Sequence, residues 1–209
     1  MAEHSRQFAD SIANAADTKG LEALISRAAG AGKGLPPVER WDPPFCGDID
    51  MEIRQDGTWY YMGTPIGRAP LVRLFSTVLR KDEDGKTYLV TPVERVGIRV
   101  VDAPFVAVEV HVSGRGDEQV VTFRTNVGDV VEAGPDNPLR FVDEAETGGL
   151  KPYVLVRGRL EALVARPVMY ELVEHGEEIE VSGEVMFAIR SRGATFPIMS
   201  AERLAALSA

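Results

Sequence analysis

The chain is poor in the groups from which most recognisable chemistry is built. Its 209 residues include one cysteine and three histidines, and no apolar run approaches the roughly 18 residues that a membrane helix needs. A lone Cys46 closes no intramolecular disulfide, which agrees with a reducing compartment. Met1-Ala-Glu-His-Ser-Arg-Gln7 lacks the basic start and apolar core of a signal peptide, so a cytoplasmic location with no membrane partner is expected. Positive charge is also scarce, with 23 Lys and Arg against 32 Asp and Glu and a net charge of −9. Non-specific nucleic-acid affinity is mostly phosphate neutralisation, so a general nucleic-acid binder is not expected either.

The absences extend to motifs. His4, His111 and His175 share no spacing and have no cysteine beside them, so no metal site is expected. A G-x-S-x-G elbow, a dinucleotide fingerprint and an H-E-x-x-H helix are all missing, so neither catalytic residues nor a cofactor can be assigned. Gly30-Ala-Gly-Lys-Gly34 resembles a phosphate loop only in part. Arg27 stands where that loop wants glycine and Gly34 where it wants Ser or Thr, so the segment reads as a linker into Leu35-Pro-Pro37.

What is present is ordinary globular material, 44% apolar and 26% charged, organised around Met51–Val101. Asp56-Gly57 between Met51–Arg54 and Thr58–Met62 marks a hairpin. Pro70 suits the first turn of a helix, and Leu71, Leu74, Phe75, Val78 and Leu79 recur behind it at helical spacing. Asp82-Glu-Asp-Gly85 is expected to end that helix, and Lys86–Thr91 to resume a strand. A shorter version follows. Val154–Gly158, Arg159–Arg166 and Pro167–Val173 repeat hairpin, proline and helix, Pro167 lying 97 residues after Pro70. Gly176, Val181 and Ile189-Arg190 lie 91 residues after Gly85, Val90 and Ile98-Arg99, so the second copy lacks six residues between helix and strand.

In chain order, Ser5–Ala29 reads as two short helices. Val38–Gly47 reads as a proline-rich strap whose Trp41 and Phe45 are pinned into the core. Phe105–Val112 alternates with four valines on one face, and Gln119–Thr125, Asn126–Gly134 and Leu139–Val142 supply further strands. Two strands, Glu178–Val181 and Glu184–Arg190, follow the second helix, and Ser200 caps a last helix carrying Leu204 and Leu207. The expectation is an α+β chain: a helical arm and linker over residues 1–40, a first domain over 41–101, and a larger β-rich domain over 102–209.

Charged residues beside strongly structured positions are the candidate site. Arg68 precedes Pro70, Glu94 and Arg95 follow Thr91-Pro92, Asp102 opens Asp102-Ala-Pro-Phe105, and Arg157 and Glu161 bracket the second hairpin turn. Ligand clefts favour domain interfaces, so these six are expected at a cleft between the two copies. A structural salt-bridge set accounts for the same residues. Three functions fit: a non-catalytic binder of a small-molecule or peptide ligand, a hydrolase or lyase using carboxylates in that cleft, and an adaptor whose exposed strands pair with a partner such as a signalling protein.

Gly47-Asp-Ile-Asp-Met51, Asp56-Gly-Thr-Trp59, Pro65-Ile-Gly-Arg68, Leu71-Val-Arg-Leu-Phe-Ser76, Thr91-Pro-Val-Glu94, Asp102-Ala-Pro-Phe105 and Pro152-Tyr-Val-Leu-Val-Arg157 together resemble the bacterial domain-of-unknown-function family twelve eighty-five. The resemblance covers most of Pro36–Val173. It implies a duplicated core, a second domain superficially similar to pleckstrin-homology folds, and a role in signal transduction. It supplies no catalytic residues.

Overall fold

The computed structural model describes residues 34–144 and 149–208. The expected arm, Ser5–Ala29, and most of the glycine-rich linker lie outside the described residues. Contacts divide the chain into two compact units, the first reaching Pro104 and including Gly158–Leu160, the second holding Phe105–Arg157 and Glu161 onward. Both are mostly β with few helices.

In the first unit β1 (Phe45–Ile53), β2 (Trp59–Tyr61) and β3 (Thr64–Pro65) form a meander, α1 (Ala69–Ser76) follows, and β4 (Leu79–Lys81), β5 (Thr87–Val90) and β6 (Arg95–Val100) form a second meander. The β1–β2 turn is the expected Asp-Gly turn. Gly57 takes φ +80°, and the Thr58 amide donates to the Asp56 carboxylate at 2.9 Å. The two meanders join through a parallel pairing of β1 with β6, giving the order β3-β2-β1-β6-β5-β4. Alternation then sorts the side chains. Met51, Ile53, Trp59, Leu89 and Val96 are buried on one side, where the Trp59 and Phe75 rings lie 6.1 Å apart. The row Arg80–Tyr88–Gly97–Asp48 faces the other side.

Two expectations need correction here. The helix stops at Ser76 instead of running to Leu79, because the Ser76 and Thr77 hydroxyls bond back to the Arg73 and Leu74 carbonyls at 2.8 and 2.7 Å and satisfy the helix end. Val78 and Leu79 are buried, as the apolar spacing implied, but they lead into β4. Asp82–Gly85 therefore turns one strand into the next and does not end a helix; the Asp82 amide reaches the Lys86 carbonyl at 3.0 Å. The strap is the second correction. Phe45 is 51% exposed and Trp41 half-buried, so aromatic anchoring does not hold it.

The second unit contains β7 (Phe105–Ser113), β8 (Val120–Thr125), β9 (Val130–Glu132), β10 (Leu139–Glu144), β11 (Gly149–Arg157) and β12 (Leu160–Val164). Their order is β10-β11-β12-β7-β8-β9. Read from the other edge it is that of the first sheet with six added to each number, down to the parallel pairing of first and last strands. This is the duplication at the level of architecture. A register shift between Ala107 and Glu109 breaks the expected valine face of β7, leaving Val106 buried and Val108 exposed.

The chain continues with α2 (Arg166–Val173), the antiparallel sheet β13 (Glu177–Val181), β14 (Glu184–Ser191) and β15 (Ala194–Ser200), and α3 (Ala201–Ser208). The short motif recurs as expected, both helices carrying proline at their start and both preceding antiparallel strands. The expected second copy, Val154–Arg190, is therefore not the repeat of the first sheet: the architecture matches Phe45–Val100 to Phe105–Val164, and only a proline-started helix before antiparallel strands recurs beyond it. The β15 strand was not anticipated. Ser191, fully buried, ties β14 to the larger sheet, accepting from the Val121 amide at 2.9 Å and donating to the Ala133 carbonyl at 2.6 Å. At the final helix, the Arg203 amide donates to the Ser200 hydroxyl at 3.3 Å, the expected cap.

Candidate functional site

The polar side of the first sheet carries an open cleft of about 420 Å³, lined by Glu39, Asp42, Arg80, Asp82, Asp84 and Arg95 among others. Arg80 holds its edge together. Strand alternation puts Arg80 on the side opposite Leu79, where a lone sheet residue would be solvated, yet it is only 8% exposed because the strap covers it. Its Nη1 donates to the Val38 and Trp41 carbonyls at 2.9 and 2.7 Å, and its Nε and Nη2 reach the two Asp82 carboxylate oxygens at 2.6 and 3.2 Å. The guanidinium, with its planar fork of donors, is what clasps the strap.

Asp82 accepts a second arginine, the Nη1 of Arg95 at 2.5 Å. Burial alone would push the Asp82 carboxyl up, but the hydrogen bonds and charges of Arg80 and Arg95 outweigh it and hold the group below its ordinary range. The Arg95 guanidinium lies 4.8 Å from the Tyr88 ring centroid and 5.9 Å from that of Phe45, and those two rings meet edge to face at 6.0 Å. Its Nε is buried without a hydrogen-bond partner among the described residues. Tyr88 donates to Asp84 at 2.6 Å, and that bond, with burial, pushes the phenol up to about 12. The same bond and the Lys86 amide hold Asp84 below its ordinary range.

Of the six residues read from the sequence, Arg68, Glu94, Arg95 and Asp102 belong to the first unit and Arg157 and Glu161 to the second. Arg95 is in the cleft. Arg68 is the exposed N-cap residue of α1 and offers its backbone carbonyl to the Leu71 and Val72 amides. Glu94 sits in the β5–β6 turn, where burial pushes its carboxyl up. Asp102 is half-buried just after β6. In the second unit Arg157 and Glu161 have different partners. Arg157 donates to Asp129 at 2.5 Å and lies 4.8 Å from the Phe105 ring centroid. Glu161 takes a bidentate pair from Arg140 at 2.6 and 2.7 Å.

Arg80, Asp82, Asp84 and Tyr88 were not picked out as site residues. The acidic pair reads as a turn signal, Arg80 as part of a solvated basic face with Arg68, Arg73 and Lys81, and Tyr88 as a strand residue. The signal that points to them is the spacing of polar residues on one sheet face, Arg80, Tyr88 and Arg95, in three strands whose other face holds Leu79, Leu89, Val96 and Ile98. Among the described residues no three His, Cys, Asp or Glu side chains gather as a metal site would require.

Comparison with known proteins agrees with this architecture. The description "Domain of unknown function (DUF1285), N-terminal domain" matches residues 36–103, and "Protein of unknown function (DUF1285), C-terminal domain" matches residues 104–198. A DUF1285 family protein from Silicibacter pomeroyi, known from a crystal structure, is 51% identical over 87% of this chain and 97% of its own, with a TM-score of 0.77. Another, from Shewanella baltica, is 23% identical over 60% of this chain and 91% of its own, with a TM-score of 0.47. No curated protein matches. With both family domains in tandem over most of its length, and a half-identical relative spanning still more of it, the chain belongs to the DUF1285 family.

Proposed function

We propose that this protein is a non-catalytic binding protein whose cleft in the first domain takes a cationic group, an ammonium or guanidinium of a small molecule or peptide. The observation that carries the reading is the state of the cleft's ionisable groups. Acid–base catalysis wants a group that titrates near the working pH. Here Asp82 and Asp84 are held low and the Tyr88 phenol is pushed up to about 12, so each keeps one protonation state across the neutral range. Arg80 and Arg95 are already joined to Asp82, while Glu39, Asp42 and Asp84 remain along the same cleft. Glu83 is paired with Arg159 on the same rim at 2.9 Å, so five carboxylates against three guanidiniums leave a negative site, and a ligand cation completes it. Arg95 is the one residue this reading shares with the domain-junction site expected from the sequence. A place in signal transduction, and a pleckstrin-homology-like second domain, belong to the same reading as what the family resemblance adds.

Calorimetric titration with arginine amide, spermidine, glutamate and inorganic phosphate tests this. The cations should bind in the millimolar range or tighter, and the paired substitution Asp42→Asn with Glu39→Gln should weaken them at least fivefold while leaving the melting temperature within a few degrees. Preference for glutamate or phosphate would reverse the assigned sign, and no heat with any of the four would leave the cleft a structural clasp.

A further inference from the structure

The small sheet of the second domain ends on β13, whose Glu177–Val181 pair, among the described residues, only with β14. The two strands are joined by two residues, Ser182 and Gly183, both with positive φ, at 54° and 85°. That is the tight hairpin geometry in which the flanking residues, Val181 and Glu184, exchange both backbone hydrogen bonds. Alternation along the ladder then gives the backbone groups of Glu177, Ile179 and Val181 to β14 and turns those of Glu178 and Glu180 outward. Among the described residues neither outward pair of groups meets a backbone partner.

The charge at this edge is one-sided. Six glutamates and no lysine or arginine lie between Pro167 and Ile189, although the whole chain carries a net charge of only −9. Glu177 is paired with Arg190 at 2.7 Å, but Glu178 and Glu180 are exposed and make no ion pair among the described residues. They share a face with their cross-strand neighbours Phe187 and Val185, the latter 48% exposed. An incoming strand would therefore meet backbone donors and acceptors, two carboxylates and an apolar ledge beside them. Charged side chains on an edge strand keep like edges apart, and here the sign selects as well as repels. A second copy adding antiparallel about Ile179 would set Glu178 against Glu180 twice, which like charge opposes.

We infer that the β13 edge accepts an extended segment of a partner protein with lysine or arginine at every second position, added as a fourth strand. Each cation would lie beside Glu178 or Glu180 on the same face of the sheet, as cross-strand pairs of opposite charge do. This surface is separate from the cleft of the first domain, and the two assignments stand or fall independently.

The test is fluorescence anisotropy of the full chain with a labelled seven-residue peptide of alternating lysine and valine. Controls are an alternating glutamate–valine peptide and the lysine peptide methylated along its backbone nitrogens, which keeps the charge and removes the ladder. The lysine peptide should bind, the methylated one at least tenfold more weakly, and the glutamate one not at all. Glu180→Pro removes an outward N–H together with one carboxylate, so it should weaken the lysine peptide at least as much as methylation does and more than Glu180→Gln, which removes the charge alone; should the proline variant fail to fold, the methylated peptide on the unaltered protein decides. Equal binding of the methylated and unmethylated lysine peptides would reduce the surface to unspecific charge attraction and overturn the proposal, as would no binding at millimolar peptide. Because the cleft of the first domain also takes cations, the comparison is repeated on the Asp42→Asn, Glu39→Gln protein, where the difference between the methylated and unmethylated lysine peptides should persist.

Discussion

The two sheets build the same contact by different means. In each, the first residue of the central strand is a phenylalanine, Phe45 in β1 and Phe105 in β7, with an arginine guanidinium over its ring at 5.9 and 4.8 Å and an aspartate 2.5 Å from that arginine. In the first sheet the arginine comes from β6, the strand paired with β1. In the second it comes from β11, the counterpart of β5, because Ala162 of β12 stands where β6 has Arg95. The strand order is shared while the polar contact has been rebuilt on it. The outcomes also differ: Phe105 is fully buried and Phe45 half-exposed. The second contact closes a core, and the first lies on an open face beside Glu39, Asp42 and Asp84. That difference is why the first is read as a site and the second as structure.

The strongest break between them should come from the rings. Phe105→Ala, at 0% exposure, should cost about 3 to 5 kcal/mol, and Phe45→Ala about 1 kcal/mol or less, since a half-exposed ring forfeits only part of its transfer energy. Urea titration of both variants measures the pair, and equal losses would erase the distinction.

Next come the arginines. Arg157→Ala strands a mostly buried Asp129 and should destabilise by about 3 kcal/mol, whereas Arg95→Ala leaves Asp82 still held by Arg80 and should cost about half as much. Thermal melts of the two variants rank them; the reverse order would make Arg95 the structural residue.

Acid sharpens the contrast further. Asp82 is depressed when folded, so its contribution is present above the unfolded value of about 3.9 and is lost as pH falls through the lower folded value. Asp82→Asn should therefore be less stable than the parent at pH 7, by about 2 kcal/mol, with the gap shrinking below about pH 4. A gap constant down to pH 2 would deny the carboxylate its charged role.

The smallest effect belongs to Tyr88. Its raised pKa means the neutral phenol's contribution is intact below about pH 10 and fades as pH rises towards 12. Absorbance at alkaline pH should show this tyrosine ionising last, and Tyr88→Phe should cost about 1 kcal/mol. An early, ordinary titration would mean that its bond to Asp84 does not persist.

Local chemistry made much of this fold legible from sequence. Asp56-Gly57, Pro70, Pro167 and Ser200 each do what their covalent structure favours, and the hairpin, helix and cap they mark are where expected. Long-range geometry was hidden. The parallel closure of β1 on β6 leaves no local signal, and Arg80 reads as a solvated residue at a helix end until carbonyls 39 and 42 positions earlier reach it. Aligning the copies on their prolines found the short motif but not the full symmetry. α1 stands between the third and fourth strands of its sheet, and α2 follows the sixth of its own. In the second sheet the third strand meets the fourth through the tight turn around Gly134–Asn137. Pro197 gives no ladder hydrogen to β15, a strand with no clean alternation.

Pairing the first strand of each sheet with its last also sets a timetable for synthesis. Fifty residues separate Phe45 from its partner Arg95, so at about 5 to 20 residues per second the ribosome needs about 3 to 10 s to deliver β6 after β1. During that interval β1 is an edge, and the apolar side of its meander has only part of its cover. The second sheet repeats the wait, since Phe105 pairs with Ala162. Nascent chains stalled just short of Arg95 or Ala162 should therefore be the lengths most dependent on chaperones.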